Sequence, residues 1–309
     1  MYCFGVDIGG TTIKMGLFQE DGTIIDKWEI ETRTENGGEE ILPDIAASIE
    51  AKMVEHKIPK EELKGVGAGI PAPVSEEGIV QKTANLGWGY KNVKCELEEL
   101  VKVPVRIGND ANVAALGEMW KGGGKGHKNV LMVTLGTGVG GGIIVNEQIL
   151  TGANGAGGEL GHVCVNPHET IPCGCGCFGC LEQYSSATGI VRLAKEKLAV
   201  TDKATILNAE TVTAKDVFDA VKAGDEVADE IAVTFGTYLG RALRNMAVVL
   251  DPTVIVIGGG VSKAGEVLLD YIKKPYMENV FFVNDKVEFV LAELGNDAGI
   301  CGAARMVLD

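Results

Sequence analysis

Val6-Asp7-Ile8-Gly9-Gly10-Thr11-Thr12-Ile13-Lys14 opens the chain with a short apolar run, a glycine turn and a returning apolar run. Two strands joined by a tight turn give that pattern. The run belongs to a longer series, Cys3 to Ile8, Ile13 to Phe18 and, past Asp21-Gly22, Thr23 to Ile30, which predicts two hairpins in succession. The theme returns at Val133-Thr134-Leu135-Gly136-Thr137-Gly138-Val139-Gly140-Gly141-Gly142, followed by Ile143 to Val145. Val6 to Gly9 and Val133 to Gly136 thus stand at equivalent places in a repeated unit, which points to an internal duplication.

Working outward, Ile41, Ile45, Ile49 and Met53 are spaced for a helix over 39–56. Gly65 to Ile70 reads as a buried strand ending at Pro71-Ala72-Pro73, and Val103 to Ile107 as another. A helix then runs from Asn109 to Trp120. After the break at Gly122-Gly123-Gly124 come helices near 185–199, 213–222 and 225–249, strand Thr253 to Ile257, the turn Gly258-Gly259-Gly260 and a helix over 263–273. Strands mixed with helices throughout make an α/β protein.

Composition narrows the function classes. The chain has 309 residues with 46% apolar content, enough for a sizeable core, so disordered and fibrous classes are excluded. Its 43 glycines are roughly twice the average usage, which suits tight turns and close approach of backbone to a ligand. A net charge of −15 argues against nucleic acid as a partner. No apolar stretch reaches the length of a membrane span, and Met1-Tyr2-Cys3-Phe4-Gly5 lacks the features of a signal peptide. Four of the eight cysteines crowd into Cys173 to Cys180, which reads as a metal site in a reducing, cytoplasmic setting.

The chemistry-bearing motifs follow. Gly9, Gly10, Thr11, Thr12 and Lys14 supply the close backbone, hydroxyls and cation that a phosphate needs, and Asp7 is a candidate ligand for hydrated Mg²⁺. Gly136, Gly138 and Gly141 carry dinucleotide-fingerprint spacing, but that fingerprint demands a helix next and a strand follows here. Thr134, Gly136, Thr137 and Gly138 therefore form a second phosphate hairpin, and two such hairpins suit a nucleoside triphosphate. Gly258, Gly259 and Gly260 place backbone amides before a helix, a nucleotide contact or an ordinary strand-to-helix turn. His162 with the run Cys173, Cys175, Cys177 and Cys180 offers a soft donor set for Zn²⁺; which of these ligate is left open, and His168 competes with them. Four protein ligands close the site, which makes it structural rather than catalytic. Asn109-Asp110 opens a helix, as a cap or as a substrate amide beside a general base. Glu159 and Glu182 flank the cysteine segment; on its own, each reads as a solvated carboxylate.

Taken in order, Asp7 to Gly16, Gly69 to Val74, Gly108 to Ala114, Leu135 to Ile143, Gly157 to His162, the cysteine loop to Glu182, Gly258 to Val261 and Asn296 to Ala304 resemble the ROK family of repressors, open reading frames and sugar kinases. The likeness spans nearly the whole chain and is strongest to the family's bacterial glucokinases. It implies an actin-like ATPase fold of two ribonuclease-H-like lobes around a central cleft, with 1–119 plus 297–309 as the small lobe and 120–296 as the large one. It implies ATP-dependent phosphorylation of glucose at the 6-hydroxyl, with Asp110 as base and Mg²⁺ beside the nucleotide. Asn109, Asp110, Glu159, His162 and Glu182 become sugar ligands, and His162, Cys173, Cys175 and Cys180 hold structural zinc. A homodimer is the implied assembly. N-acetylmannosamine kinase or another hexose kinase is the alternative activity, a non-catalytic sugar sensor a more distant one. Two departures stand out: Ala72 replaces a common glycine, and the spacing from His162 to Cys173 is a residue long, which keeps His168 in view.

Overall fold

The computed structural model describes residues 1–308. The strands of its two large sheets are β1 (Tyr2–Ile8), β2 (Thr12–Gln19), β3 (Ile24–Glu31), β4 (Leu63–Ile70), β5 (Val105–Asn109), β6 (Val130–Leu135), β7 (Val139–Val145), β8 (Gln148–Ile149), β9 (Val254–Gly258) and β10 (Glu288–Leu291); Ile79–Val80 and Lys91–Asn92 pair as a small separate ribbon. Its main helices are α1 (Ile41–Glu55), α2 (Val93–Val101), α3 (Asp110–Lys121), α4 (Ala187–Leu198), α5 (Ala214–Lys222), α6 (Glu226–Leu250), α7 (Glu266–Met277) and α8 (Ala298–Met306).

The two five-stranded sheets run β3-β2-β1-β4-β5 and β8-β7-β6-β9-β10. Each has the same internal order, so the duplication read from the two glycine turns extends to whole sheets. In the first, β1 pairs antiparallel with β2 and parallel with β4, with Asp7 opposite Lys14 on one side and Gly69 on the other. In the second, β9 lies parallel between β6 and β10, and Gly258 is aligned with Thr134.

The chain divides into two compact units. Unit 1 comprises Met1–Lys128, Gly142–Gly158 and Glu293–Asp309; unit 2 comprises Asn129–Gly141 and Glu159–Ala292. Gly142–Gly158, read from sequence as part of the large lobe, packs with unit 1. An ideal Cβ on Gly142 would stand 2.4 Å from Ala115 Cβ on α3.

Unit 1 is built around an apolar core in which Phe4, Val6, Ile13 and Met15 meet Ile41, Ile45 and Ile49 of α1. The alternation of β1 and β2 and the helical spacing of α1 put these side chains on facing surfaces. α8 packs so closely against α3 that a Cβ on Gly302 would lie 1.7 Å from the Val113 carbonyl oxygen. That contact fixes the helix that carries Asp110. In unit 2, β6 and β9 are buried almost throughout, as strands of a central parallel sheet must be.

The structure departs from the sequence reading in its elements as well. The helix expected over 185–199 is α4, which starts only at Ala187 because Ser186 is extended and caps it by accepting from Gly189 N at 2.9 Å. The helix expected over 263–273 is a 3₁₀ turn, Gly260–Ala264, followed by α7, which continues to Met277. Gly265, at φ 84°, separates them. α2, β10 and α8 were not read from sequence as elements at all.

Candidate active site and cysteine–histidine cluster

In each unit, strand ends and glycine turns carry the candidate residues. In unit 1, β1 delivers Asp7 to the sheet end just before the turn, and Gly9 N donates to Thr12 O at 3.1 Å to close it. Thr32, buried, ties the turn to β3: its hydroxyl donates to Gly9 O at 2.8 Å and its amide to Thr11 O at 3.0 Å. Gly10 and Thr11 are left exposed. Burial raises the Asp7 carboxyl above its ordinary value, and Lys14, its cross-strand partner, opposes the rise.

β5 ends at Asn109 and α3 begins at Asp110. Asn109 is the helix cap: its Oδ1 accepts from Ala111 N at 3.0 Å and Asn112 N at 3.1 Å. Its amide nitrogen donates to Ala72 O at 3.2 Å, so the Pro71-Ala72-Pro73 bend orients it. Asp110 Oδ1 accepts from Ala111 N at 2.8 Å, which places the carboxylate at the positive end of the helix. Asn112, two residues on, donates to Gly157 O at 2.9 Å.

In unit 2, the turn between β6 and β7 is closed by Gly136 N donating to Gly138 O at 3.0 Å. It is docked on the start of α4, where Ala187 N donates to Gly136 O at 2.8 Å and the Thr188 hydroxyl to Thr137 O at 2.9 Å. The Gly258-Gly259-Gly260 turn leaves β9 beside Thr134, and Ser262 closes it through its hydroxyl on Gly259 O at 2.7 Å.

Glu159, His162 and Glu182 converge. His162 Nε2 lies 4.0 Å from Glu159 Oε2, and Nδ1 lies 3.9 Å from Glu182 Oε1. One donor atom from each of His162, Cys173, Cys175 and Cys180 falls within 4.8 Å of the other three. His168 and Cys177 are outside that cluster. The Cys175 and Cys180 sulfurs are 3.7 Å apart. Tetrahedral Zn–S bonds would set two ligating sulfurs about 3.8 Å apart, so the donor set and its spacing fit zinc. Burial pushes the Cys180 thiol up to about 12 and raises Cys173, whereas the Cys177 backbone N–H holds Cys175 down at about 7. Cys173 also donates to Glu182 Oε1 at 2.8 Å, which joins the cluster to a site carboxylate.

A cavity of about 380 Å³ opens beside these groups, lined by Thr137, Gly138, Cys173, Gly174, Glu182 and Thr188. The larger cavity of unit 2, about 890 Å³ along α6, contains none of the sequence-selected site residues. Three residues that the sequence reading passed over, Glu169, Tyr184 and Arg192, form a hydrogen-bonded group behind Glu182.

A family profile described as "ROK family" matches residues 3–309. The chain belongs to the ROK family. Its relatives include the glucokinase of Halalkalibacterium halodurans, 46% identical over 98% of this chain and 94% of that protein. Among solved structures, the ROK hexokinase of Thermus thermophilus superposes with a TM-score of 0.82 at 31% identity, covering 98% and 97% of the two chains. A ROK family glucokinase from Streptomyces griseus, in complex with glucose and AMPPNP, gives 0.75 at 33% identity and covers 99% of each chain. The fold of this ROK protein is accordingly the actin-like ATPase fold.

Proposed function

We propose that this protein is a glucokinase, transferring the γ-phosphoryl group of ATP to the 6-hydroxyl of glucose. The observation that carries the reading is the 46% identity with a protein named glucokinase along nearly the whole chain. The geometry of α3 agrees with it, since Asn109 and Asp110 stand together at a strand end where a helix begins.

Asp110 takes the proton of the 6-hydroxyl as that oxygen attacks the γ-phosphorus; the bond to the bridging oxygen breaks and ADP leaves. Asn109, oriented by Ala72 O, holds a neighbouring hydroxyl. Glu159, His162 and Glu182 hold hydroxyls nearer the anomeric carbon. The backbone amides of Gly9, Gly10, Gly136 and Gly138, with Thr11, Thr12, Thr137 and Lys14, cradle the phosphates, and the Gly258 to Gly260 turn meets the nucleotide. Asp7 would hold Mg²⁺ beside the nucleotide, where the ion would supply neutralising charge. His162, Cys173, Cys175 and Cys180 hold zinc, which fixes the loop and the His162 ring that faces the sugar. The ATP donor and the free thiols suit the cytoplasm.

The test is ADP release with Mg-ATP against glucose, N-acetylmannosamine, N-acetylglucosamine, mannose and fructose. A clear preference for glucose is expected. Preference for an N-acetylated sugar would replace the substrate and leave the chemistry standing, whereas turnover of none would end the kinase reading.

A further inference from the structure

Four donors converge on one carboxylate behind the sugar ligands of unit 2. Glu169 Oε2 accepts from the Tyr184 hydroxyl at 2.5 Å and from Arg192 Nη1 at 2.8 Å. Its Oε1 accepts from the backbone amides of Thr170 at 2.9 Å and Ile171 at 3.0 Å. The Glu169 side chain is 10% exposed. Tyr184 is buried, accepts from Asn166 Nδ2 at 2.8 Å, and lies between Tyr238, stacked at 4.1 Å, and the Arg192 guanidinium at 4.7 Å.

The group spans the loop that carries the cysteines and the helical turn that carries Glu182. Gln183 adds to it, accepting from Cys180 N at 3.0 Å and donating to Ile171 O at 2.9 Å. Both residues that follow Glu182 are therefore bolted to the loop, while Glu182 itself points to His162. We infer that Glu169 is a positioning residue for the sugar site: it fixes the backbone from which Glu182 projects and so sets sugar affinity. The inference rests on the reading of Glu182 as a sugar ligand. Glu169 does not line the cavity beside Glu182.

Glutamine is the informative replacement. It keeps the shape, but its NH₂ must face two donors whichever way the amide turns, either Tyr184 and Arg192 or the two backbone amides. The experiment is steady-state kinetics of Glu169→Gln with glucose and ATP varied separately, alongside zinc content. The expected result is a glucose KM raised about tenfold, with kcat and the ATP KM within about twofold and zinc unchanged. Tyr184→Phe removes one donor, keeps the ring stack and serves if Glu169→Gln fails to fold; its glucose KM should rise about threefold. Glucose KM unchanged, or raised only in proportion to lost zinc, overturns the inference. Failure of the underlying sugar-site reading looks different: Glu182→Gln itself would then leave glucose KM untouched.

Discussion

Glu182 Oε2 lies 2.7 Å from the point where a Cβ on Gly138 would stand. A residue assigned to the phosphate turn and one assigned to the sugar are thus neighbours within unit 2, and a side chain at 138 would press on the carboxylate. Gly138→Ala must displace the carboxylate or the turn. Gly136 differs, since its nearest neighbour to such a Cβ is Gly138 O at 4.0 Å. Gly138→Ala should lower kcat/KM for glucose by about 100-fold, the scale of an ångström's misplacement. Gly136→Ala should act on ATP and spare glucose. Equal effects of the two on glucose would show that the contact carries no weight.

Asp110→Asn keeps size and leaves an oxygen able to accept from Ala111 N, so α3 should form as before. Removing the base should cut kcat by about 10²–10⁴-fold. Glucose affinity, read by calorimetry on the intact variant, should change little. Turnover near the parent's with an unaltered melting curve would take the base role away from Asp110. Asn109→Ala differs in kind, because it strips the cap from α3 and should cost about 1 kcal/mol of stability as well as raise glucose KM.

Metal content tests the cluster directly. Freshly purified protein should contain about one zinc per chain, and Cys175→Ser should lose it. Because the cysteine loop leads into the turn that holds Glu182, zinc removal should raise glucose KM and lower the melting temperature together. Cys177→Ser, outside the cluster, should keep its metal. A fully active, metal-free preparation would leave the four-donor geometry without its proposed occupant.

The legible parts of this molecule were those written in local pattern. Asp7 to Lys14 and Thr134 to Gly142 announce their hairpins because glycine turns and strand alternation are short-range signals. The cysteine segment announces a donor cluster for the same reason, and His162 falls into it at the place the family resemblance gives. α8 was silent for a physical cause: Ala298 to Ala304 are all buried, so the helix shows no polar face and its small residues serve close packing. α2 was quieter than it needed to be, for Val93, Leu97 and Val101 are helix-spaced and Asn92 caps it. Glu169 could not be read at all, since Tyr184 and Arg192 lie 15 and 23 residues further along the chain. Only the fold brings such a carboxylate to its donors.

The turn after β9 allows structural and ligand-driven demands for glycine to be separated. Gly259 has φ 84°, and a Cβ there would stand 2.5 Å from both the N and O of Leu135. Backbone cannot yield as a flexible side chain does, and the conformation disfavours any other residue. Gly259→Ala should therefore cost about 1–3 kcal/mol of stability and, by shifting the end of β6 next to Gly136, should weaken ATP binding too. Gly260 meets nothing within 4 Å of its Cβ position. The protein's own packing gives no reason for glycine at 260, so Gly260→Ala should leave the melting temperature within about 1 °C, as for a surface substitution of small effect. If the nucleotide comes as close to this turn as proposed, the same variant should raise the ATP KM while glucose binding stays put. An unchanged ATP KM in Gly260→Ala, beside a destabilised Gly259→Ala, would make the turn a packing device and move the nucleotide contact elsewhere.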